Sequence, residues 1–271
     1  MHLALPHSYK GIFPFKICTT SYIYPDYIVP NVEMLAPFLD EIELLFFESR
    51  QPDSIPTKTE INELHEISKD HGITYNVHLP VDIFPGSSNN AERLCFVKTV
   101  LKIIEHTSIL SPSTYTLHLS YPESSDKTQC DQIWLNNIYD SMEKLVAAGV
   151  SSKSISIETL EYPFEWIEGI VSDFNFSVCI DAGHLLLNGY NVQKVFNNYL
   201  DITSVIHLHG VKNSHDHLSL DKLSCEEMKT IIKHMQGFAG TVSIEVFSFD
   251  NLLSSLQHFC NCYHYYQKTD F

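Results

Sequence analysis

Short apolar runs rich in β-branched and aromatic residues recur along the chain, separated by longer segments of helical period. Eight of these runs have the length of a strand, at 15–22, 42–48, 73–79, 114–119, 154–160, 176–182, 204–210 and 241–248. Helical segments are predicted at 57–72, 89–107 and 130–149, with shorter ones at 163–173, 191–199, 224–236 and 249–266. This alternation, without a composition break, predicts an α/β chain folded as one (β/α)8 TIM barrel over residues 1–271, with 1–12 as an N-terminal extension.

A doubly wound open sheet is the competing α/β architecture. It usually carries a glycine-rich phosphate loop after its first strand. The first strand here runs into "CTTSYIYP", which contains no glycine. The barrel is therefore the favoured prediction.

The amino-acid composition argues against nucleic-acid and membrane partners. The chain has 33 acidic and 17 basic residues, a formal net charge of −16, and its Lys and Arg residues form no cluster. Because nucleic-acid binding depends on neutralising phosphates, we expect no nucleic-acid partner. No apolar run is long enough to span a membrane, and the N-terminus does not resemble a signal peptide. Seven cysteines, an odd number placed mostly in apolar runs, indicate reduced thiols in a cytoplasmic protein.

Candidate chemistry lies at the carboxyl ends of the predicted strands, where barrels of this class place their active sites. Strands three to eight each supply an imidazole or a carboxylate there: His78, His118, Glu158, Asp181 with His184 beyond it, His207 with His209, and Glu245. The loop "HDHLSL" adds His215, Asp216 and His217.

Alternation along the strands supports a shared site. In "VIHLHG" both histidines face one side of the strand, and in "SIEVF" Glu245 points away from its apolar neighbours. A single histidine on a strand is usually a hydrogen-bonded core residue, but six consecutive strands ending this way argue for one site. Imidazole and carboxylate groups are ligands of Zn²⁺, Mn²⁺ and Fe²⁺, so the pattern predicts a metal centre.

This set of residues resembles the metal ligands of the xylose-isomerase-like barrels, in their endonuclease IV branch. The resemblance implies two or three divalent ions, zinc first, with manganese or iron as alternatives, that hydrolyse a phosphodiester. It implies that Glu158 bridges two ions, that Glu158 and Glu245 are the catalytic carboxylates, and that the other ligands divide among three ions. His78 and His118 would complete the first ion, Asp181, His207 and Glu245 the second, and His184 and His217 the third.

Two positions depart from that family. His215, with Asp216 beside it, stands where the family usually has an acidic ligand of the third ion. His209-Gly210 stands where the nucleases have an Asn-Asp pair. Together with the acidic composition, this argues against damaged DNA as the substrate.

Further motifs are similar to those of the cobamide-remodelling phosphodiesterases: "YNVHLPVDIFPGS", "LEYPFEW", "IDAGHLLLNG", "VIHLHGVKNSHDHLSL" and "SIEVFS". This resemblance implies a small-molecule corrinoid substrate, cut at its nucleotide loop to a cobinamide phosphate and an α-riboside. Candidate substrate-binding residues are Tyr22, Phe47, Phe84, Tyr162, His209, His215 and Asp216.

Three alternatives stay open. A sugar isomerase or epimerase of the same superfamily would use one or two ions held by Glu158, Asp181, His207 and Glu245, with the two glutamates moving a proton. An endonuclease for abasic sites is less favoured, as is a metabolite-binding barrel without catalysis. The pattern specifies no oligomeric state.

Overall fold

The computed structural model describes residues 2–51, 54–122 and 128–268. Eight parallel strands form the barrel: β1 Lys16–Thr20, β2 Glu41–Leu45, β3 Thr74–His78, β4 Tyr115–Leu117, β5 Ile155–Glu158, β6 Ser177–Asp181, β7 Thr203–Leu208 and β10 Thr241–Ile244. They close into a ring in the order β1-β10-β7-β6-β5-β4-β3-β2. The predicted TIM barrel is confirmed.

Helices surround the barrel at α1 Ile28–Leu35, α2 Lys58–His71, α3 Asn90–Thr107, α4 Gln132–Ala147, α5 Glu168–Phe174, α6 Ala182–Leu187, α7 Val192–Tyr199, α8 Cys225–His234 and α9 Phe249–Lys268. The sequence pattern did not predict α1 or the short α6. It also missed a hairpin inserted after β7, made of β8 Gly210–Lys212 and β9 His215–Leu218. Within the described chain, no helix is both long and apolar enough to cross a membrane.

Local sequence signals set the helix ends. The side chain of Thr57 accepts the Glu60 amide and the Glu60 carboxylate accepts the Thr57 amide, which forms a capping box at the start of α2. Gly72 ends the helix at φ +62°, a left-handed conformation that favours glycine. Ser224 and Glu227 form a second capping box at α8.

The inside of the barrel is unusually polar. In β2, Ile42 and Leu44 belong to the apolar core, whereas the alternating Glu41 and Glu43 are fully buried and bond to polar side chains of other strands. TIM barrels usually fill this space with branched aliphatic side chains. Apolar packing is therefore reduced inside the barrel, and the apolar core lies between the strands and the helices.

The N-terminal segment packs against the barrel. Leu5 and Tyr9 are buried, and the Tyr9 amide donates to the Phe38 carbonyl over 2.8 Å. Near its start, the Leu3 carbonyl accepts a hydrogen bond of 2.7 Å from the Tyr24 hydroxyl. The segment thus runs from Tyr9, beside the chain that enters β2, to Leu3, at the end of the barrel where the strand-end histidines lie.

Candidate metal centre

Glu158, the last residue of β5, lies at the centre of the cluster and is 1% exposed. Its Oε2 lies 3.3 Å from His78 Nε2 and 3.0 Å from His118 Nε2. Its Oε1 lies 3.3 Å from His184 Nδ1, and Oε2 also lies 3.6 Å from His207 Nδ1. One carboxylate therefore faces imidazoles from four different barrel strands or the loops that follow them.

His78 and His118 follow one another on neighbouring strands, with ring centroids 4.8 Å apart. His78 Nδ1 donates to the Leu79 carbonyl over 2.9 Å, which leaves the lone pair on Nε2, the nitrogen that faces Glu158. A second partner of this kind commonly orients a metal-bound histidine.

Asp181 ends β6 and caps α6. Its Oδ1 accepts the His184 amide over 2.7 Å and lies 3.1 Å from His209 Nε2. Its Oδ2 faces His184 Nδ1 at 3.3 Å and His207 Nδ1 at 3.8 Å. Oδ1 is therefore held by the His184 amide, whereas Oδ2 faces the imidazoles of the cluster.

His207 lies between carboxylates of two other strands. Nδ1 lies 3.2 Å from Glu245 Oε2, and Nε2 lies 3.1 Å from Glu43 Oε1. Glu43 Oε2 in turn accepts from the Ser243 hydroxyl over 2.5 Å. The sequence reasoning missed Glu43, although its place as an acid among the apolar residues of "EIELL" was the same signal that identified Glu245.

The hairpin β8–β9 brings His217 over the cluster. His217 has φ +50°, a strained conformation for this residue, and its Nδ1 lies 3.2 Å from the Glu245 carbonyl. The His217 amide donates to His209 Nδ1 over 3.0 Å. His217 therefore presents its Nε2, as His78 does.

Nitrogens of His184, His209 and His217 lie within 4.8 Å of one another, a spacing compatible with a shared ion. However, His209 Nδ1 accepts the His217 amide, so a neutral His209 carries its proton on Nε2, facing Asp181. We therefore assign His209 to orienting Asp181 rather than to holding an ion. His215 is exposed and its Nδ1 donates to the Asn213 carbonyl, while Asp216 lies half-buried beside it. The assignment of both residues to substrate binding stays a prediction.

Buried atoms left without hydrogen bonds test whether the cluster fits a metal. Among the described residues, several buried side-chain atoms of this cluster have no hydrogen-bond partner: Glu43 Oε1, Asp181 Oδ2, His184 Nδ1, both nitrogens of His207, His209 Nε2 and Glu245 Oε2. Leaving such groups unsatisfied is costly. His207 Nε2 and His209 Nε2 each face a carboxylate at 3.1 Å. The other atoms, Asp181 Oδ2, His184 Nδ1, His207 Nδ1 and Glu245 Oε2, lie 3.2–3.8 Å from one another or from Glu158, so cations placed among them would satisfy lone pairs that hydrogen bonds do not. The cluster therefore fits divalent ions of the Zn²⁺, Mn²⁺ or Fe²⁺ type.

The pKa shifts in the cluster arise from the close approach of its carboxylates and imidazoles. Burial lowers the pKa of His184, but the carboxylates of Asp181 and Glu158 outweigh burial and raise this pKa to about 10. Burial raises the pKa of Glu158, but the imidazoles of His118 and His207 hold it well below its usual range. The carboxylates thus stay ionised and attract positive charge, whether it is carried by protons or by metal ions.

The candidate substrate-binding aromatics divide into two groups. Tyr22 and Phe47 line one cavity at this end of the barrel and Phe84 lines another. Tyr162 is 1% exposed, and its hydroxyl donates to the Leu119 carbonyl over 2.9 Å. Tyr162 is therefore a packing residue of the loops, which corrects its expected place in the substrate pocket.

Comparisons with known proteins support the barrel fold. The family model described as "Xylose isomerase-like TIM barrel" matches residues 39–262. No curated protein matches the sequence significantly. The fold is similar to that of a D-tagatose 3-epimerase-like protein, with 19% identity over 94% of this chain and 99% of that chain and a TM-score of 0.77.

Two further solved structures share the fold. Endonuclease IV from Thermus thermophilus is 16% identical over 92% of this chain and 99% of that chain, with a TM-score of 0.67. The IOLI protein, solved with a bound zinc atom, is 14% identical over 93% of this chain and 96% of that chain, with a TM-score of 0.65. Since the family model covers most of the sequence, the chain belongs to the xylose isomerase-like TIM barrel family.

Proposed function

We propose that this chain is a metal-dependent phosphodiesterase that hydrolyses the nucleotide-loop phosphodiester of a cobamide. The observation that carries the proposal is the number of imidazoles around one carboxylate. A single bound ion needs only a few ligands. The Glu158 carboxylate alone faces four imidazoles, those of His78, His118, His184 and His207. This supports a cluster of two or three ions, the kind that stabilises both the attacking and the leaving oxygen of a phosphoryl transfer.

When bound, divalent ions supply hydroxide near neutral pH and neutralise charge on the phosphoryl oxygens. The chain's own residues hold this arrangement. Glu158 would be a ligand of more than one ion, and Glu43 and His209 would fix the orientation of His207 and Asp181 through charged contacts of 3.1 Å each. Because Glu43 and His209 are buried, they hold the His207 and Asp181 side chains in one orientation before an ion binds.

The corrinoid substrate is supported by the motifs around the ligands rather than by the ligands themselves. "YNVHLPVDIFPGS", "IDAGHLLLNG" and "VIHLHGVKNSHDHLSL" resemble the cobamide-remodelling phosphodiesterases. The net charge of −16 and the His209-Gly210 pair disfavour an abasic-site endonuclease. The cavity lined by Tyr22, Phe47 and Phe247 suits a large, partly apolar molecule.

A sugar isomerase or epimerase is the second candidate. Glu158 and Glu245 approach the same His207 nitrogen, at 3.6 and 3.2 Å, so both carboxylates belong to one site, as an epimerase with two proton-moving glutamates requires. The likeness in fold to the D-tagatose 3-epimerase-like protein favours the same candidate.

Turnover by the zinc-loaded protein separates these candidates. We expect adenosylcobalamin to be cleaved, and an abasic-site oligonucleotide and ketohexoses to be unchanged. Glu158→Ala is expected to abolish the cleavage. Epimerisation of a ketohexose without corrinoid cleavage would reverse the order of the two candidates, and cleavage of the oligonucleotide alone would assign the site to DNA.

A further inference from the structure

Two cavities open beside the cluster, above different arcs of the barrel. The aromatic cavity, about 650 Å³, is lined by residues that follow β10, β1 and β2, with His2 and Leu3 of the N-terminal segment on one side. The Trp134 cavity, about 570 Å³, is lined by residues that follow β3, β4 and β5, together with Trp134 of α4. Both volumes are typical of sites for small molecules.

An unbroken row of rings leads from the aromatic cavity to the cluster. The ring centroids of Tyr22 and Phe47 are 5.0 Å apart, and those of Phe47 and Phe247 are 5.8 Å apart. Phe247 then lies 5.0 Å from His217, a candidate metal ligand. Phe247 is 39% exposed, which is a large exposure for an aromatic side chain that lies against a charged cluster.

The Trp134 cavity differs in chemistry. Glu92, Asp131 and Glu161 line it together with several serines, and its exposed apolar side chains are Val81, at 38%, and Phe84, at 44%. Its lining includes Val81, Ser120 and Glu161, which follow the cluster residues His78, His118 and Glu158 by two or three positions, so this cavity adjoins that side of the cluster. Its polar atoms can accept hydrogen bonds from hydroxyl groups, and Phe84 offers a face for one planar ring.

A phosphodiester joins two different groups, and when the phosphate lies at the cluster each group must leave it in a different direction. We propose that the substrate lies in one orientation, with the macrocyclic half in the aromatic cavity and the riboside half in the Trp134 cavity. This rests on the proposed function. The broad, weakly polar face of a corrin matches the row of rings, whereas the ribose hydroxyls and the small aromatic base match the carboxylates and Phe84.

Binding of the two halves as separate molecules tests this orientation. The zinc-loaded protein is titrated calorimetrically with cobinamide, and separately with the α-riboside of dimethylbenzimidazole. Phe47→Ala and Phe247→Ala are each expected to weaken cobinamide binding by about three- to tenfold, the loss of one aromatic contact, and to leave riboside binding unchanged. Phe84→Ala is expected to weaken riboside binding to a similar extent and to leave cobinamide binding unchanged.

The matched control is Ile202→Ala, which removes an apolar side chain that is 46% exposed just before β7, at the other end of the barrel. It is expected to change neither affinity. Saturation with the riboside is expected to leave the affinity for cobinamide unaltered. Competition between the two halves, wild-type cobinamide affinity in both aromatic-cavity variants, or the reverse assignment would overturn the orientation.

The proposed function is judged by a different readout. If wild-type protein cleaves adenosylcobalamin while the halves compete, the orientation alone is wrong. If the zinc-loaded protein neither binds the halves nor cleaves the intact corrinoid, the proposed function fails and the orientation fails with it.

Discussion

His207 and Glu43 form a buried pair inside the barrel, with Nε2 of the imidazole 3.1 Å from Oε1 of the carboxylate. Neither side chain is exposed. A proton held on Nε2 by Glu43 leaves the lone pair of Nδ1 facing Glu245 and the other carboxylates. Glu43 is therefore a positioning residue for a ligand, supported by the Ser243 hydroxyl on its second oxygen.

Glu43→Gln keeps the shape of the side chain and removes its charge, so we expect weaker metal binding with a largely unchanged fold. Loss of such a partner typically costs about 10- to 100-fold in metal affinity. Titration of the metal-free protein with Co²⁺, followed by its visible absorption, measures the change. Glu33→Gln, on the exposed face of α1, is the matched control. Equal Co²⁺ affinity in both variants would show that Glu43 does not position His207 for metal binding.

Glu158 is expected to hold more than one ion. We predict two or three zinc ions per wild-type chain after dialysis, measured by plasma mass spectrometry. Glu158→Ala is expected to lose more than one of them, because the carboxylate faces both the His78–His118 and the His184–His207 sides. His217→Ala is expected to lose one. About one ion in the wild-type chain would favour the epimerase.

Gly183 lies where any side chain would strike His209. A Cβ built at this position lies 2.1 Å from His209 Cε1, well inside a normal contact. We therefore expect Gly183→Ala to displace His209 from Asp181 and to reduce zinc content, although alanine favours the helix α6. Gly169→Ala in α5, where the added Cβ meets only the Tyr139 hydroxyl at 3.1 Å, is the matched control. Full zinc content in Gly183→Ala would show that Asp181 does not depend on His209.

Glu41 stabilises the barrel in a pH-dependent way. Burial raises the pKa of this carboxyl, but Lys16 and hydrogen bonds from Thr74 and Asn76 outweigh burial and lower it. A lowered folded-state pKa contributes stability above the unfolded value of about 4.3, and this contribution is lost as pH falls through the folded-state pKa.

We expect Glu41→Gln to lower the free energy of unfolding by about 1–3 kcal/mol at pH 7. The difference from wild type is expected to shrink below about pH 4, where the wild-type carboxylate takes up a proton. Urea unfolding at both pH values measures it. A difference that stays constant with pH would show that Glu41 acts by packing alone.

The barrel and the strand-end residues were predictable because period-2 alternation places every second residue inside, where an acid or a histidine stands out. His78, Glu158, Asp181 and His207 lie in regular strands, and His118 and Glu245 follow β4 and β10 by one residue, so the six side chains meet at one end of the barrel. The hairpin carrying His217 was not predictable, since its shape depends on left-handed residues at Asn213, Ser214 and His217 that carry no glycine signal. The same loop turns His215 outward, and sequence spacing alone does not reveal this.

Oxygen-isotope labelling shows whether the cluster hydrolyses a phosphodiester with water. Adenosylcobalamin is incubated with the zinc-loaded protein in ¹⁸O-water, and the products are separated and weighed by mass spectrometry. Water attack at phosphorus predicts one ¹⁸O in cobinamide phosphate and none in the α-riboside, which leaves with its own oxygen. The absence of both products, or ¹⁸O found in the riboside, would contradict hydrolysis of the phosphodiester at this cluster.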